Sequence, residues 1–207
     1  MPIVNLAELL GQRDASAFLR GVIAGGRFAN AYLFHGPPGV GKGTAALAFA
    51  RAMLCERRRA TGGMDDSCGA CGTCRKTASL QHPDLKFLFP VSGEEKELDT
   101  TVGETLAALR LDPWFAFQYD KAASIRLSMT RELLRELAFK PFEADRRVVV
   151  VRDADRMRTD QYSALLKTLE EPGTTVWVLT TSRPARLPAT IHSRCQRVRF
   201  AILSEEA

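Results

Sequence analysis

The sequence predicts an α/β fold in which a parallel sheet carries helices on both faces. Three observations favour it: apolar, strand-like runs alternate with helical patterns, a glycine-rich turn joins a strand to a helix, and residues 148–151 are four consecutive valines. Strands that alternate with helices pair in parallel, and a continuous apolar run is typical of a strand buried on both faces. The 207 residues, 45% of them hydrophobic, suit one such domain with at most a small appendage.

Helices are predicted where apolar residues recur at helical spacing or where Ala and Leu dominate, and strands where short apolar runs lie between turn residues. The predicted helices are 14–24, one that starts near Lys42, 129–142 and 160–171, and the predicted strands are 31–34, 148–151, 174–182 and 197–200. On the helix 129–142 the apolar face is predicted to comprise Leu133, Leu134, Leu137 and Phe139.

Two segments interrupt this alternation. Residues 55–85 carry cysteines, glycines and turn residues, which predicts a small irregular module. Residues from about 88 to 124 show no clear periodicity, and we expect a partly helical insertion there. Within it, Trp114, Phe115 and Phe117 form either a packed aromatic cluster or part of a partner surface.

The composition argues against a membrane protein. No apolar run approaches the roughly 18–20 residues that a membrane span needs, and the N-terminus MPIVNLAELLGQRD lacks the basic start and apolar core of a signal peptide. We therefore expect a cytoplasmic protein without membrane contact. The net charge of +5 permits contact with nucleic acid but is equally compatible with an ordinary solvated surface.

The stretch HGPPGVGKGTAA, residues 35–46, is similar to a phosphate-binding loop except at its last step. A P-loop reads G-x-x-x-x-G-K-[ST], whereas Gly43 follows Lys42 here and Thr44 comes one position late. Backbone N–H groups of such a loop surround phosphates, and its Lys reaches the outer ones. The missing hydroxyl removes a Mg²⁺ ligand, so we expect ATP or ADP with weak or absent Mg²⁺. A simple strand–helix turn without a ligand is the alternative. The candidate nucleotide-binding residues in this loop are Gly36, Gly39, Val40, Gly41, Lys42, Gly43 and Thr44.

The second half of an ATPase site is a hydrophobic strand that ends in Asp-Glu, for the metal and for the attacking water. In VVVVRDADRM, Asp153 is the candidate acid, Ala154 stands where the Glu is expected, and Asp155 comes one residue later. Binding without efficient hydrolysis is the simplest interpretation. The alternative is a working motor in which Thr44 and Asp155 replace the missing groups.

Four of the five cysteines follow the pattern C-x12-C-x2-C-x2-C. Four sulfurs at such spacing suit a tetrahedral, structural Zn²⁺, with an iron–sulfur cluster and free thiols as alternatives. These candidate metal ligands are Cys55, Cys68, Cys71 and Cys74. His82 is interpreted as a turn residue or an alternative ligand, and the isolated Cys195 as a small buried side chain.

The segments NAYLFHGPPGVGKGT, the four-cysteine module, DADRM…SALLKTLEEP and TSRPARLPATIHSRC together resemble the AAA+ clamp-loader ATPases of bacterial replication. The resemblance covers the chain in order, apart from about residues 88–124, and implies an AAA+ P-loop, RecA-like domain over about 1–200. Gly43 and Ala154 make the chain similar to the delta-prime branch, which has lost hydrolysis, rather than to the gamma and tau motor subunits. The family continues into a helical lid, so 201–207 are expected to be the start of a truncated lid.

The resemblance also implies roles for individual residues. Arg194, which spacing alone leaves open between a surface ion pair and an arginine finger, matches the finger offered in trans to a neighbour's ATP. Thr180 or Thr181 matches the sensor of the γ-phosphate, and Gln12 the adenine pocket. The four cysteines match zinc ligands. The implied function is that of a subunit of the polymerase holoenzyme, with little or no ATPase activity of its own, that helps gamma/tau and delta subunits load the sliding clamp on primed DNA. A zinc-dependent nucleic-acid binding module is a further alternative.

Overall fold

The computed structural model describes residues 4–93, 95–112, 115, 117, 123–171 and 173–203. Its centre is a five-stranded parallel sheet with the strand order β2-β3-β4-β1-β5. The strands are β1 (Ala31–His35), β2 (Leu85–Leu88), β3 (Arg147–Val151), β4 (Thr175–Thr181) and β5 (Gln196–Arg199). The predicted parallel α/β fold is therefore confirmed.

Eight α-helices and four short 3₁₀ turns are present in the described part of the chain. The helices are α1 (Arg13–Gly25), α2 (Lys42–Leu54), α3 (Glu56–Thr61), α4 (Gly72–Ala78), α5 (Leu98–Leu111), α6 (Leu127–Leu137), α7 (Thr159–Glu170) and α8 (Ala189–His192). The 3₁₀ turns are Leu6–Glu8, Glu95–Glu97, Ala154–Arg156 and Pro184–Arg186. Among these described helices, none has both the length and the apolar character that a bilayer crossing requires.

Helices cover both faces of the sheet. Side chains alternate between the two faces along each strand, so Val148 and Val150 pack with α1 and α2, whereas Val149 and Val151 pack with the apolar side chains of α6, α7 and α8. The valine run of β3 is continuous because both of its faces are buried. This packing confirms the predicted layer arrangement.

The structure adds helices α3 and α4 within the module predicted to be irregular, and α8 before β5, and it departs from the predicted elements at two further places. Strand β2, in the sequence LKFL, was not predicted, because it is short and directly follows the irregular cysteine module; it pairs with β3 at the edge of the sheet. Helix α6 ends at Leu137, so Phe139 lies beyond the helix with 74% of its surface exposed. The prediction that Phe139 belongs to the apolar face was wrong, whereas Leu133 is buried and Leu134 and Leu137 pack against the core.

Asp84, directly before β2, fastens the loop that leads into β3. Its carboxylate is fully buried and accepts hydrogen bonds from the backbone N–H groups of Phe142, Glu143 and Ala144 at 2.6, 2.7 and 2.8 Å. Burial alone would raise the pKa of Asp84, but the three donors outweigh it and hold this pKa below its usual range. The edge strand and the following loop are thus joined through one side chain.

The predicted insertion contains helix α5, which confirms partly helical structure there. Phe115 and Phe117 lie 5.3 Å apart between ring centroids, and Phe117 also packs on Phe89 at 5.5 Å. An aromatic cluster is therefore present, while Trp114 lies outside the described residues. Residues 201–203 carry neither helix nor strand and 204–207 are outside the described part, so the domain boundary near residue 200 stays a prediction.

Candidate functional site

A cavity of about 450 Å³ lies at the carboxyl ends of β3 and β4, beside the start of α2. This is the edge of a parallel sheet at which ligands bind in α/β folds. Seven of the predicted nucleotide-binding residues line it: Gly39, Gly41, Lys42, Gly43 and Thr44 from the loop and helix start, and Asp153 and Thr180 from the strand ends. The other four are not among the described residues that line the cavity: Gly36, Val40, Thr181 and Gln12.

Two glycines give the loop its path. Gly41, directly before α2, adopts a left-handed conformation with φ 85°, which glycine reaches without steric cost. Gly36 lies against the residue that follows β5: a Cβ added there would come within 2.3 Å of the Phe200 carbonyl oxygen. A side chain at either position would displace the loop, so both glycines are required by its geometry.

Lys42 is buried at the first position of α2. Its Nζ donates to the carbonyl oxygen of Gly36 at 2.9 Å and to the Ser182 hydroxyl at 3.0 Å, and also to the carbonyl oxygen of Pro37. Burial lowers the pKa of Lys42 to about 8, although the charge of Asp153 opposes the shift. The sequence analysis missed Ser182, for which its position directly after the two threonines of β4 was the available signal.

The lowered pKa of Lys42 predicts pH-dependent binding of a phosphate ligand. A bound anion stabilises the charged amine, so the pKa rises on binding and the affinity depends on protonation of the free protein. We expect the affinity for ADP to be constant below pH 8 and to fall about tenfold per pH unit above it. The other charged groups that act on the amine are Asp153, Asp155 and Arg152.

Calorimetric titrations with ADP between pH 7 and 9.5 measure this dependence. Lys42→Arg is the matched control, because its guanidinium keeps the charge throughout the range and should remove the decline. An affinity of the unsubstituted protein that is the same at pH 7 and 9.5 would contradict the prediction.

The space beside Gly43 is taken by Arg152, which the sequence analysis missed. A Cβ added to Gly43 would lie 2.2 Å from Nη1 of Arg152. Arg152 directly follows β3, and its guanidinium lies over the ring of Phe117, 3.8 Å from the centroid. The available signal was an arginine between a hydrophobic strand and the candidate metal-binding acid Asp153.

Asp153 points differently from a residue that continues the strand. Its backbone is left-handed, with φ 47°, and its N–H donates to the Thr180 hydroxyl at 3.0 Å. Its carboxylate lies 3.5 Å from Nε of Arg152. Asp153 and Thr180 both line the cavity. The guanidinium of Arg152, which lies beside the loop, is thus close to the carboxylate of Asp153.

Both carboxylate oxygens of Asp155 accept hydrogen bonds from neighbouring side chains. Its side chain is 2% exposed, one oxygen accepts from the Thr181 hydroxyl at 2.7 Å, and the other accepts from Nε and Nη2 of Arg183 at 2.8 and 2.7 Å. Both carboxylate oxygens are paired, so activating a water would require these contacts to break. Thr181 positions Asp155, whereas Thr180 is the threonine that faces the cavity.

Gln12 joins the start of α1 to the segment after β5. Its side-chain amide donates to the carbonyl oxygen of Ala201 and accepts from the Ala201 N–H, both at 2.9 Å. Val40 belongs to the buried apolar cluster on the α1 and α2 face. Neither residue lines the cavity, and an adenine contact of Gln12 stays a prediction.

Arg194 follows α8 and lies apart from the cavity of its own chain. It forms an ion pair with Glu170 at the end of α7, and its Nη1 donates to the carbonyl oxygen of Thr190 at 3.0 Å. The side chain is one-third exposed. An exposed surface pair of this kind contributes about 0–1 kcal/mol, so little holds Arg194 in this position.

The four predicted cysteines come together. Their sulfur atoms all lie within 4.8 Å of one another, and the Sγ atoms of Cys68 and Cys74 are 3.9 Å apart. Sulfurs at about 2.3 Å from a central ion are about 3.8 Å apart in a tetrahedron. Backbone N–H groups donate to the sulfurs of Cys55, Cys68 and Cys71 at 3.4 Å. The cluster could therefore hold a metal ion.

Burial and hydrogen bonding act in opposite directions on the cluster thiols. Burial alone would raise the pKa of Cys68, but N–H donors from Ala70 and Cys71 outweigh it and lower the pKa to about 7. The thiolate is the form that binds metal. One ligand is thus about half ionised near neutral pH.

The two outlying candidates take no part in the described cluster. Nδ1 of His82 accepts from the N–H of Asp84 at 3.1 Å, and Nε2 faces Glu143 at 3.8 Å, so His82 is a turn residue and not a ligand in this arrangement. Cys195 packs against the core beside α7 and α8, and burial raises the pKa of its thiol to about 12. The sequence predicted a small buried side chain, and Cys195 is partly buried.

A family model described as "DNA polymerase III, delta subunit" matches residues 11–204. The chain belongs to the AAA+ clamp-loader family. This family assignment confirms the resemblance on which the sequence analysis relied.

Curated relatives of this clamp-loader protein include subunits of more than one type. It is 34% identical over 174 residues to the delta' subunit of Pseudomonas aeruginosa DNA polymerase III, which covers 83% of the chain and 43% of the relative. It is 26% identical over 201 residues to the tau subunit of Bacillus subtilis, which covers 97% of the chain and 30% of the relative. The chain thus spans less than half the length of these relatives.

Two solved structures share its fold. A DNA polymerase III gamma subunit-related protein from Thermotoga maritima superposes with a TM-score of 0.55 at 20% identity, over 92% of this chain and 46% of that one. The RuvB Holliday junction branch migration motor of the same organism gives a TM-score of 0.52 at 14% identity, over 97% and 48%. The AAA+ architecture is therefore shown by structure as well as by sequence.

Proposed function

We propose that this clamp-loader protein is a subunit of the delta-prime type, which does not hydrolyse ATP itself and helps load a sliding clamp on primed DNA. The observation that carries the proposal is the pair Gly43 and Arg152. A P-loop ATPase holds Mg²⁺ with the hydroxyl that follows the loop lysine and with an acid after a hydrophobic strand. Here the hydroxyl position is Gly43, and the Arg152 guanidinium takes the space beside it and lies close to the candidate acid Asp153. Relatives of the delta' type support the same assignment.

Arg194 is proposed to act on ATP bound by a neighbouring subunit. It lies outside the lining of its own chain's cavity. The Glu170 side chain of its ion pair is half exposed, so breaking this ion pair costs little free energy. An arginine finger supplied in trans stabilises charge that develops on the transferred phosphoryl group. The partners in this proposal are gamma/tau and delta subunits, with the clamp and DNA reached through the complex in the cytoplasm.

The four-cysteine cluster is proposed to hold a structural Zn²⁺. Its four sulfur donors leave no open position for a substrate. The cluster joins the end of α2 to α4, because Cys55 caps α2 and Cys74 lies within α4. The ion would fix a segment that has few apolar side chains of its own.

Replacing Arg194 with Ala tests the subunit role. In a clamp loader reconstituted with its partner subunits, we expect DNA-stimulated ATP hydrolysis to fall by up to about twofold, since one of several ATP sites loses its finger. Arg186→Ala, which removes an exposed arginine in the 3₁₀ turn before α8, is the matched control and should leave the rate unchanged. Equal rates for the Arg194 variant and the unsubstituted complex would refute the finger role.

The isolated chain provides the second arm of this test. We expect no steady phosphate release from ATP and Mg²⁺. Sustained turnover that disappears in Lys42→Ala would instead make the chain a motor subunit, the alternative to which its tau relatives also point. Salt-sensitive binding of DNA by the isolated chain would favour the nucleic-acid module instead.

A further inference from the structure

We propose that the cavity binds the polyphosphate of a nucleotide without a metal ion, with the Arg152 guanidinium in the place that Mg²⁺ takes in metal-dependent sites of this fold. The inference rests on the proposed nucleotide site and is independent of Arg194. It assigns to Arg152 a binding role that explains why Gly43 follows the loop lysine.

One of the two groups that normally hold Mg²⁺ is missing, and a cation is paired with the other. Gly43 provides no hydroxyl, and the candidate acid Asp153 lies 3.5 Å from the guanidinium of the preceding residue, Arg152. A side chain at position 43 and the guanidinium of Arg152 cannot occupy the same space, because the added Cβ would lie 2.2 Å from Nη1. The residues present therefore do not fit a Mg²⁺ ion, and the glycine makes room for the arginine.

The guanidinium is held in a position suited to a phosphate. The ring of Phe117 lies beneath it at 3.8 Å, and Asp153 lies 3.5 Å from Nε, so its orientation is restrained by an aromatic face and a carboxylate. A guanidinium offers several N–H donors in a planar fork and cannot be deprotonated. Such a group binds phosphate oxygens in pairs and supplies positive charge at the same time.

The charge balance of the cavity also suits an anion without a metal. The cavity is lined by four cationic side chains and by two carboxylates. One of the carboxylates, Asp155, is neutralised by Arg183 and Thr181. Lys42, Arg152 and the backbone N–H groups of the loop therefore face a ligand with an excess of positive charge.

Arg152 could alternatively close the site to any ligand. Two observations favour binding: about 450 Å³ of space remains beside it, and 21% of its side chain is still exposed. The guanidinium forms part of the wall of an open cavity. We therefore treat closure as an outcome that the experiment must exclude.

Calorimetry with ADP, once in EDTA and once in Mg²⁺, tests the proposal. We expect the unsubstituted chain to bind ADP with dissociation constants that agree within about threefold in the two buffers. Arg152→Gln should weaken binding at least about tenfold in EDTA, because the charge and the paired donors are lost, whereas Arg186→Gln should bind as the unsubstituted chain does. Thermal unfolding without ligand checks that each variant is folded.

A double substitution gives an independent check. Gly43→Thr combined with Arg152→Ala restores the usual hydroxyl and removes the guanidinium beside the acid Asp153, and should make ADP binding at least about tenfold tighter in Mg²⁺ than in EDTA. The proposal is overturned if the unsubstituted chain needs Mg²⁺, if it binds no ADP in either buffer, or if Arg152→Gln binds ADP as well or better. Pyrophosphate that binds as tightly as ADP would overturn the nucleotide assignment in favour of a free polyphosphate. None of these results alters the ATPase measurement on Arg194, so failures of the two proposals are distinguishable.

Discussion

Replacing Cys74 with Ser is expected to destabilise the chain by about 3–5 kcal/mol and to abolish metal binding. Loss of a structural metal site is among the few single changes with so large an effect, and complete zinc sites contribute more than this in isolated peptides. Cys74 is fully buried within α4, and its sulfur lies 3.9 Å from that of Cys68. Its loss would leave three cysteines, one ligand short of a closed tetrahedral site, so we expect the ion to be lost.

The measurements are metal content by mass spectrometry and chemical denaturation. We expect one zinc per unsubstituted chain, none in Cys74→Ser, and one in the control Cys195→Ser, whose sulfur lies outside the cluster. Iron in place of zinc, together with visible absorption, would assign the cluster to iron–sulfur chemistry. A chain that contains no metal and is indifferent to chelators would contradict the metal site altogether.

Replacing Asp84 with Ala is expected to cost about 3–5 kcal/mol of stability. Three backbone N–H groups donate to its carboxylate at 2.6–2.8 Å, and hydrogen bonds to a charged group are worth about 1.5–3 kcal/mol each, with a further penalty for donors left unpaired. The substitution Asp84→Asn would keep one acceptor oxygen, so it should be less destabilising than Asp84→Ala.

The depressed pKa of Asp84 fixes the pH dependence of this contribution. A carboxyl whose pKa is lower in the folded state stabilises the fold above its unfolded pKa, and the stabilisation is lost as pH falls through the folded value. The difference between the unsubstituted chain and Asp84→Ala should therefore be constant at neutral pH and shrink below about pH 4. Asp145→Ala, which removes a half-exposed carboxylate with contacts of 3.4 and 3.5 Å, should cost about 0–1 kcal/mol. Equal losses from both variants would show that the buried hydrogen bonds are unimportant.

Most of the elements could be predicted from the sequence because their signals are local. The valine run, the glycine loop before an alanine-rich helix and the cysteine spacing each lie within a few residues, and periodicity or turn chemistry identifies them without tertiary information. Strand β2 was missed because four residues after a proline-containing turn carry too little periodicity. Phe139 was misplaced because α6 ends where the Arg147 guanidinium binds the carbonyl oxygens of Glu136, Phe139 and Lys140, a tertiary contact that helical spacing cannot reveal.

The sequence by itself determined the α/β class, the loop with its missing hydroxyl and the four cysteines that meet in one cluster. Only the tertiary structure showed that Arg152 lies over Gly43, that Asp155 is paired with Thr181 and Arg183, and that Ser182 contacts Lys42. The physical reason is the distance along the chain between the partners. Each of these contacts joins residues from different strands or loops, and they meet because the parallel sheet brings the carboxyl ends of its strands to one edge.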